Sequence, residues 1–392
     1  MEVITVNDQD VRDAAWWSAV AEPADRAARI LRTKLGDCQA RQWLLGRWHN
    51  GPDVLAEHPE IDWRRQWNRW RERALAVDIE REWERAKRAG GGFITPSDAR
   101  WPAQLGCLGE EEPMGLWFLG RLEKNPEADR HVSIVGARAS TGSGERCARN
   151  MAHYLARAGY TVVSGGAIGI DIEAHRGAML AGGRTICVLA GGVANPYPAC
   201  HGADFRDVLA LGGALVSEVA PSARPAKWRF LTRNRVIAAW SGATVVVEAG
   251  MRSGALSTAR AAMELGRNVG AVPGSVRAPM SAGALALIRN GATLVRDAAD
   301  VEEMHAPIGS CAPEPLFGAP VEEDRGADAL APAQRRVWEA LPARSRARLG
   351  AVVTASGLSE RDVLVALAGL ELAGMVSSDT TGWKRMPAVA RR

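Results

Sequence analysis

The chain has 392 residues, 47% of them hydrophobic and 24% charged, with a formal net charge of +4. Two or three domains around packed cores are expected at that length and composition, and wholesale disorder is excluded. No apolar run is long enough to span a bilayer, and the first residues lack a basic stretch leading into an apolar one. Neither a membrane span nor a secretory signal is therefore read, and a cytoplasmic location is expected. The six cysteines form no Cys-x-x-Cys pair and read as reduced thiols, not as a zinc site or a disulfide frame. The small positive charge permits an anionic partner without requiring one.

Residues 1–92 hold eight of the fourteen tryptophans, set among many arginines, with little strand signal. Trp63, Trp67, Trp70, Ala74 and Val77 recur at helical spacing, which predicts one helix from about Glu60 to Ala89 within an N-terminal helical module. Arginine beside tryptophan fits a nucleic-acid platform, but it also fits a tryptophan core under a solvated charged face. The core reading is the favoured one. Gly90-Gly91-Gly92 then stops the helix.

The texture changes over 93–305. Short apolar runs at Val132–Val135, Tyr160–Val163, Arg184–Leu189, Ala214–Val219, Ala243–Val247, Asn268–Val272 and Ala292–Val295 read as strands. Helical stretches lie between them, at Arg146–Ala158, Ile170–Ala181, Ala203–Leu211, Thr232–Trp240, Ala255–Leu265 and Ala284–Arg289. Continuous apolar strands alternating with helices predict a parallel sheet covered on both faces, a doubly wound, Rossmann-like α/β domain. Prolines and acids crowd residues 306–331, the composition of a linker. Residues 332–386 outline a C-terminal winged helix: Pro332 opens one helix, Ser359 caps another, and a hairpin turns at Gly382. Its candidate recognition helix, Glu360 to Ala373, carries one base against three acids, so a protein contact is the better expectation than groove insertion.

Ligands of such a sheet bind beyond the carboxyl ends of the strands. The first turn there reads Gly136-Ala137-Arg138-Ala139-Ser140-Thr141-Gly142. Arg138 stands where a dinucleotide fingerprint needs glycine, and Ser164-Gly165-Gly166-Ala167 replaces the acid that would hold a ribose. An arginine beside a helix N-terminus suits a phosphate better than a nicotinamide. Asp171 and His175 could form an acid–imidazole pair on one helical face, and a structural hydrogen bond is the favoured reading of it. The stretch from Val219 to Val247 contains no acid, yet it carries Arg224, Lys227, Arg229, Arg233 and Arg235, with Trp228, Phe230 and Asn234 among them. Cations beside aromatics in a glycine-lined cleft are the ingredients of single-strand binding; a basic surface loop without a partner is the bland alternative.

Several motifs occur in order. They are Ile134–Arg138, Ser164–Asp171, Ala174-His175, Tyr197-Pro198, Ser217-Glu218, Phe230 with Arg233–Ile237, Val247–Ala249, Ser253–Ala259 and Val272–Gly274. This series resembles the DprA/Smf family of DNA-processing proteins over roughly residues 93–297. The resemblance implies a cytoplasmic, non-enzymatic homodimer that binds single-stranded DNA and loads the RecA recombinase during natural transformation. No metal and no cofactor is implied. Carried over by position, Arg138 would clamp a phosphate, Lys227 would add a second phosphate contact, and Phe230 would stack a base. Arg233, Asn234 and Arg235 would supply further contacts. Ser164, Gly165 and Gly166, with Gly191 and Gly192, would admit close approach, and Ser253 and Gly254 would complete the site. Three positions depart from the family pattern: Ser143-Gly144 replaces Tyr-Gly, Gly283-Ala284-Leu285 replaces Gly-Thr-Asn, and Trp101 replaces a tyrosine. The alternative is a nucleotide-binding Rossmann enzyme such as a nucleoside 5′-monophosphate phosphoribohydrolase. The stretch Glu248 to Ala255 lacks that group's proline-led glycine signature and has no glutamate at the matching place.

Overall fold

Three aspartates decide where the N-terminal helices begin. Asp25, Asp62 and Asp78 accept the backbone N–H groups of Ala28, Arg65 and Arg81 at 3.2, 3.0 and 3.1 Å, each satisfying a donor that the first helical turn leaves unpaired. The helices are α1 (Asp8–Val20), α2 (Arg26–Leu35), α3 (Asp37–Leu45), α4 (Val54–Glu57), α5 (Trp63–Ala76) and α6 (Ile79–Arg88). The single helix expected over 60–89 is thus two, because Val77 turns extended and Asp78 starts a new helix. The computed structural model describes residues 8–48, 54–124, 126, 130–305, 330–342 and 345–386. The stretch expected as a linker lies outside them, apart from its last two residues.

The tryptophans of this module form its core. Trp16, Trp17, Trp43, Trp63, Trp67 and Trp70 are buried, and all but Trp63 meet edge to face at 5.3 to 5.9 Å, partly through Trp48. Arg41, Arg64 and Arg71 lie over Trp16, Trp48 and Trp67 at 5.0, 5.0 and 4.7 Å. The tryptophans thus pack as a core with charged groups set over three of the rings, the arrangement the core reading expects.

The rest of the first compact unit, Met1–Cys311, is a sheet with helices on both faces. In chain order it comprises β1 (Gly91–Ile94), β2 (Leu116–Gly120), β3 (His131–Val135), α7 (Gly142–Arg157), β4 (Thr161–Ser164), α8 (Ile170–Leu180), β5 (Thr185–Val188) and α9 (Gly202–Ala210). It continues with β6 (Ala214–Ser217), α10 (Lys227–Trp240), β7 (Ala243–Val246), α11 (Ala255–Glu264), β8 (Asn268–Ala271), α12 (Ala282–Arg289), β9 (Thr293–Leu294) and α13 (Ala298–His305). The strand order is β1-β2-β6-β5-β4-β3-β7-β8-β9. From β6 to β9 every neighbouring pair is parallel, as the apolar runs predict. The edge beyond β6 departs from that expectation: β1 and β2 are antiparallel to each other, and β2 is antiparallel to β6.

Alternate strand residues feed opposite faces. Val135, Val163, Ile186, Val188 and Val216 pack with α10, α11 and α12. Val132, Ile134, Val162 and Val245 pack with α7, α8 and α13. The helical module is joined to this sheet by polar contacts as well as apolar ones. Trp117 Nε1 donates to Ser18 Oγ at 2.8 Å, and Glu82 accepts the N–H and hydroxyl of Ser222 at 2.8 and 2.7 Å.

The second unit, Ala312–Arg392, contains α14 (Pro332–Ala340), α15 (Leu349–Ser356), α16 (Glu360–Leu372) and a hairpin of β10 (Val376–Asp379) and β11 (Gly382–Arg385). Val337, Val352, Val363, Leu367 and Leu370 form its core. Ser359 accepts the N–H of Asp362 at 3.2 Å and donates to its carboxylate at 2.6 Å, the cap expected for α16.

Candidate functional site

The chain leaves β3 for β4 on one side and reaches β7 on the other, so two crossovers diverge at the carboxyl end of β3. Such a switch point opens a crevice. Here it holds a cavity of about 810 Å³, walled by four segments: the turn after β3, the turn after β4, the inner face of α10 and the turn after β7.

Arg138 comes from the first turn, Lys227 from the start of α10, and Arg252 from the turn between β7 and α11. All three are exposed, and among the described residues no carboxylate pairs with any of them. The Arg138 guanidinium lies 4.8 Å over the Phe230 ring, which in turn meets the ring of Tyr197 edge-on at 5.9 Å. Half-buried Phe230 thus stands among three cations that no carboxylate pairs, with Arg138 over its ring.

Beneath them lies a buried pair. Arg233 donates to the carbonyl of Gly165 at 2.9 Å and also to that of Val188. Burial pushes the Asp171 carboxyl up, against the pull of the Arg233 charge and of backbone N–H bonds from Gly136, Ala167 and Gly165. Burial likewise pushes the Arg233 guanidinium down, opposed by Asp171. Three turns of the crevice are thereby tied to one another. Asn234 adds a further tie, donating to the carbonyl of Gly254 at 3.3 Å and to Ser257 Oγ at 2.8 Å across to α11.

The expected site residues divide accordingly. Arg138, Lys227, Phe230, Arg233, Asn234, Ser253 and Gly254 line the one cavity. Arg233 does so as a buried strut whose Nη1 donates to two backbone carbonyls and whose Nε donates to Asn234 Oδ1 at 3.2 Å. Arg235 is not brought there. It is buried and forms a bidentate pair with Glu218, both bonds 2.7 Å long. Ser164 is fully buried and donates to the carbonyl of Ile134 at 2.6 Å.

The glycines lie close to protein instead of to the cavity. A Cβ at Gly165 would strike the Arg233 guanidinium, and Gly166 has φ +65° with Cys187 Sγ 2.6 Å from where its Cβ would be. A Cβ at Gly191 would press on Pro225, and one at Gly192 would collide with the carbonyls of Ala220 and Pro221. The Asp171–His175 pair does not form, since His175 Nδ1 meets Thr185 Oγ1 at 2.7 Å. Of the departures from the family pattern, Trp101 is buried in the core and Leu285 does not line the cavity.

Arg252 and Tyr197 were missed by sequence reasoning. The signal for Arg252 was present: a lone arginine in a Gly-Met-Arg-Ser-Gly turn at the carboxyl end of a strand. Tyr197 stood in the Tyr197-Pro198 motif, but nothing in the sequence set it beside Phe230, 33 residues on.

A model of the family described as DNA recombination-mediator protein A matches residues 92–306. A relative described as a putative DNA processing protein DprA, from Mycobacterium tuberculosis (strain ATCC 25618 / H37Rv), is 41% identical over 98% of this chain and 96% of its own. Protein Smf of Escherichia coli (strain K12) is 36% identical over 75% of this chain and 77% of its own. Among solved structures, the X-ray structure of DNA processing protein A from Streptococcus pneumoniae is similar with a TM-score of 0.57 and 27% identity, covering 76% of this chain and 98% of that one.

Proposed function

The chain belongs to the DNA recombination-mediator protein A family, and on that premise we propose that it binds single-stranded DNA in the cavity at the β3–β7 switch point. The observation that carries this reading is the convergence of Arg138, Lys227 and Arg252, none paired with an acid among the described residues, around the ring of Phe230. Cations release counterions from a phosphate backbone, and an aromatic face accepts any base that is not already stacked in a duplex. Arg138 and Lys227 hold phosphates, Arg252 adds a third cation, and Phe230 stacks a base with Tyr197 bracing its edge.

The reading extends to a non-enzymatic DNA-processing protein of the cytoplasm, a homodimer that protects incoming single strands and loads the RecA recombinase during natural transformation. The family resemblance supports those finer statements. The phosphoribohydrolase alternative needs a carboxylate aimed at a nucleotide. Glu248 instead accepts Thr141 N–H and Oγ–H at 2.8 and 2.6 Å, and Asp171 is taken up by buried backbone donors.

The test is a fluorescence-anisotropy titration of oligo-dT and of duplex DNA at two salt concentrations. Tighter binding of the single strand, weakening with salt, is expected. Equal affinity for both, or binding indifferent to salt, overturns the proposal, and ribose 5-phosphate released from AMP would turn it to the hydrolase.

A further inference from the structure

Helix α10 carries Lys227 and Phe230 in its first turn, yet its own sequence starts it poorly. No side chain caps it at Ala226, and no acid lies in its first turn. Lys227 and Arg229 add positive charge where the aligned peptide dipoles are already positive. Left to itself, such a start frays.

The missing charge comes from the helical module. Glu22, in the turn between α1 and α2, accepts Arg229 Nε and Nη2 at 2.8 and 2.9 Å. It also pairs with Arg73 at 2.7 Å and lies 3.4 Å from Trp228 Nε1. Arg229 uses its remaining terminal nitrogen on the carbonyl of Arg224 at 2.8 Å, which pins the loop that enters the helix. The Arg229 and Glu22 side chains are only 16% and 17% exposed, so solvent screens the pair little. Burial would raise the Glu22 carboxyl, but the bond and charge of Arg229, the charge of Arg73 and the Trp228 contact outweigh it and hold it at about 2.

We infer that Glu22 is a positioning residue for the nucleic-acid-binding helix, supplying the negative charge that the first turn of α10 lacks and so holding Lys227 and Phe230 in the cavity. The inference rests on the proposed function of that cavity. It also makes a prediction whose sign runs against simple electrostatics. Glu22→Gln makes the protein more positive, and if only net charge mattered it would bind a polyanion more tightly.

A positioning role gives the opposite result: oligo-dT binding about two- to fivefold weaker, with an unchanged salt slope. Glu22→Asp should recover part of the loss. Amide hydrogen exchange over residues 227–230 should quicken in Glu22→Gln while the sheet keeps its protection. Affinity that is unchanged or increased, or exchange at 227–230 that does not change, overturns the inference. Should Glu22→Gln fail to fold, Arg229→Gln carries the exchange test, because it breaks the same pair. If the unaltered protein fails to bind oligo-dT, the cavity's proposed function falls. If it binds, and Arg138→Gln weakens it while Glu22→Gln does not, only the role of Glu22 falls.

Discussion

Removing cations by position, instead of by number, separates those that face the cavity from those that serve the fold. For a single strand, each neutralised phosphate contributes about 0.7 to the slope of log affinity against log salt. Arg138, Lys227 and Arg252 all line the cavity and, among the described residues, none is paired with an acid. The triple variant Arg138→Gln/Lys227→Gln/Arg252→Gln should therefore lower the slope by about 2, with about tenfold lost in affinity per residue at low salt. Arg235→Gln is the control. Its guanidinium is bound to Glu218, and the two side chains are 8% and 9% exposed, so no phosphate reaches it. That variant should leave the slope alone and lower stability by about 3–5 kcal/mol, because Glu218 is left buried and unpaired. Anisotropy titrations over a salt series, beside denaturant unfolding, read both quantities. An unchanged slope in the triple variant, or an equal drop in Arg235→Gln, would show that the charges were sorted wrongly.

Phe230→Ala should lose about 1–3 kcal/mol of oligo-dT affinity at constant salt slope, because stacking releases no ions; a slope that fell with it would mean the ring shapes the loop and does not stack. Combining it with Arg138→Gln should cost less than the sum of the two, by about 0.5–1 kcal/mol, since the guanidinium lies over that ring; strict additivity in a double-mutant cycle would refute the contact. His175 gives a pH test. Burial holds its folded pKa at about 3, against an ordinary value of 6.5. Below about pH 6.5 the unfolded chain takes up a proton that the folded one refuses, so stability is constant above that pH and falls toward 3, by up to about 1.4 kcal/mol per pH unit. His175→Gln should flatten this window in unfolding midpoints measured across pH, and parallel curves for the two proteins would count against a neutral buried imidazole.

The parallel strands were legible because each is buried on both faces and so reads as a continuous apolar run. The antiparallel edge was not. Gly91 and Gly92 pair with Leu119 and Phe118 in the ladder, yet three successive glycines after a helix look like a terminator, and nothing local reveals a partner some 25 residues on. The break between α5 and α6 was written in one residue, Asp78, whose capping role was masked by the helical period running through it. Composition identified the basic stretch but could not say which of its charges are free.

An acid-free run in sequence is not acid-free in space. The segment from Val219 to Val247 is bounded by Glu218, which takes Arg235, and is met by Glu22 from the helical module, which takes Arg229. Arg233 is committed to Gly165 and Val188. Three of its arginines are thus built into the scaffold, and of the three exposed cations that line the cavity only Lys227 comes from this run. The spent arginines still bear on binding. Arg233 ties α10 to the turns after β4 and β5, Arg235 anchors the middle of α10, and Arg229 fixes its start, so Lys227 and Phe230 face the cavity from a helix held along its length. A strand meeting groups already in place gives up less of its binding energy to ordering them. On this argument Arg235→Gln, where it folds, should bind somewhat more weakly than the unaltered protein at an unchanged salt slope, as a loss of order would and a loss of charge would not.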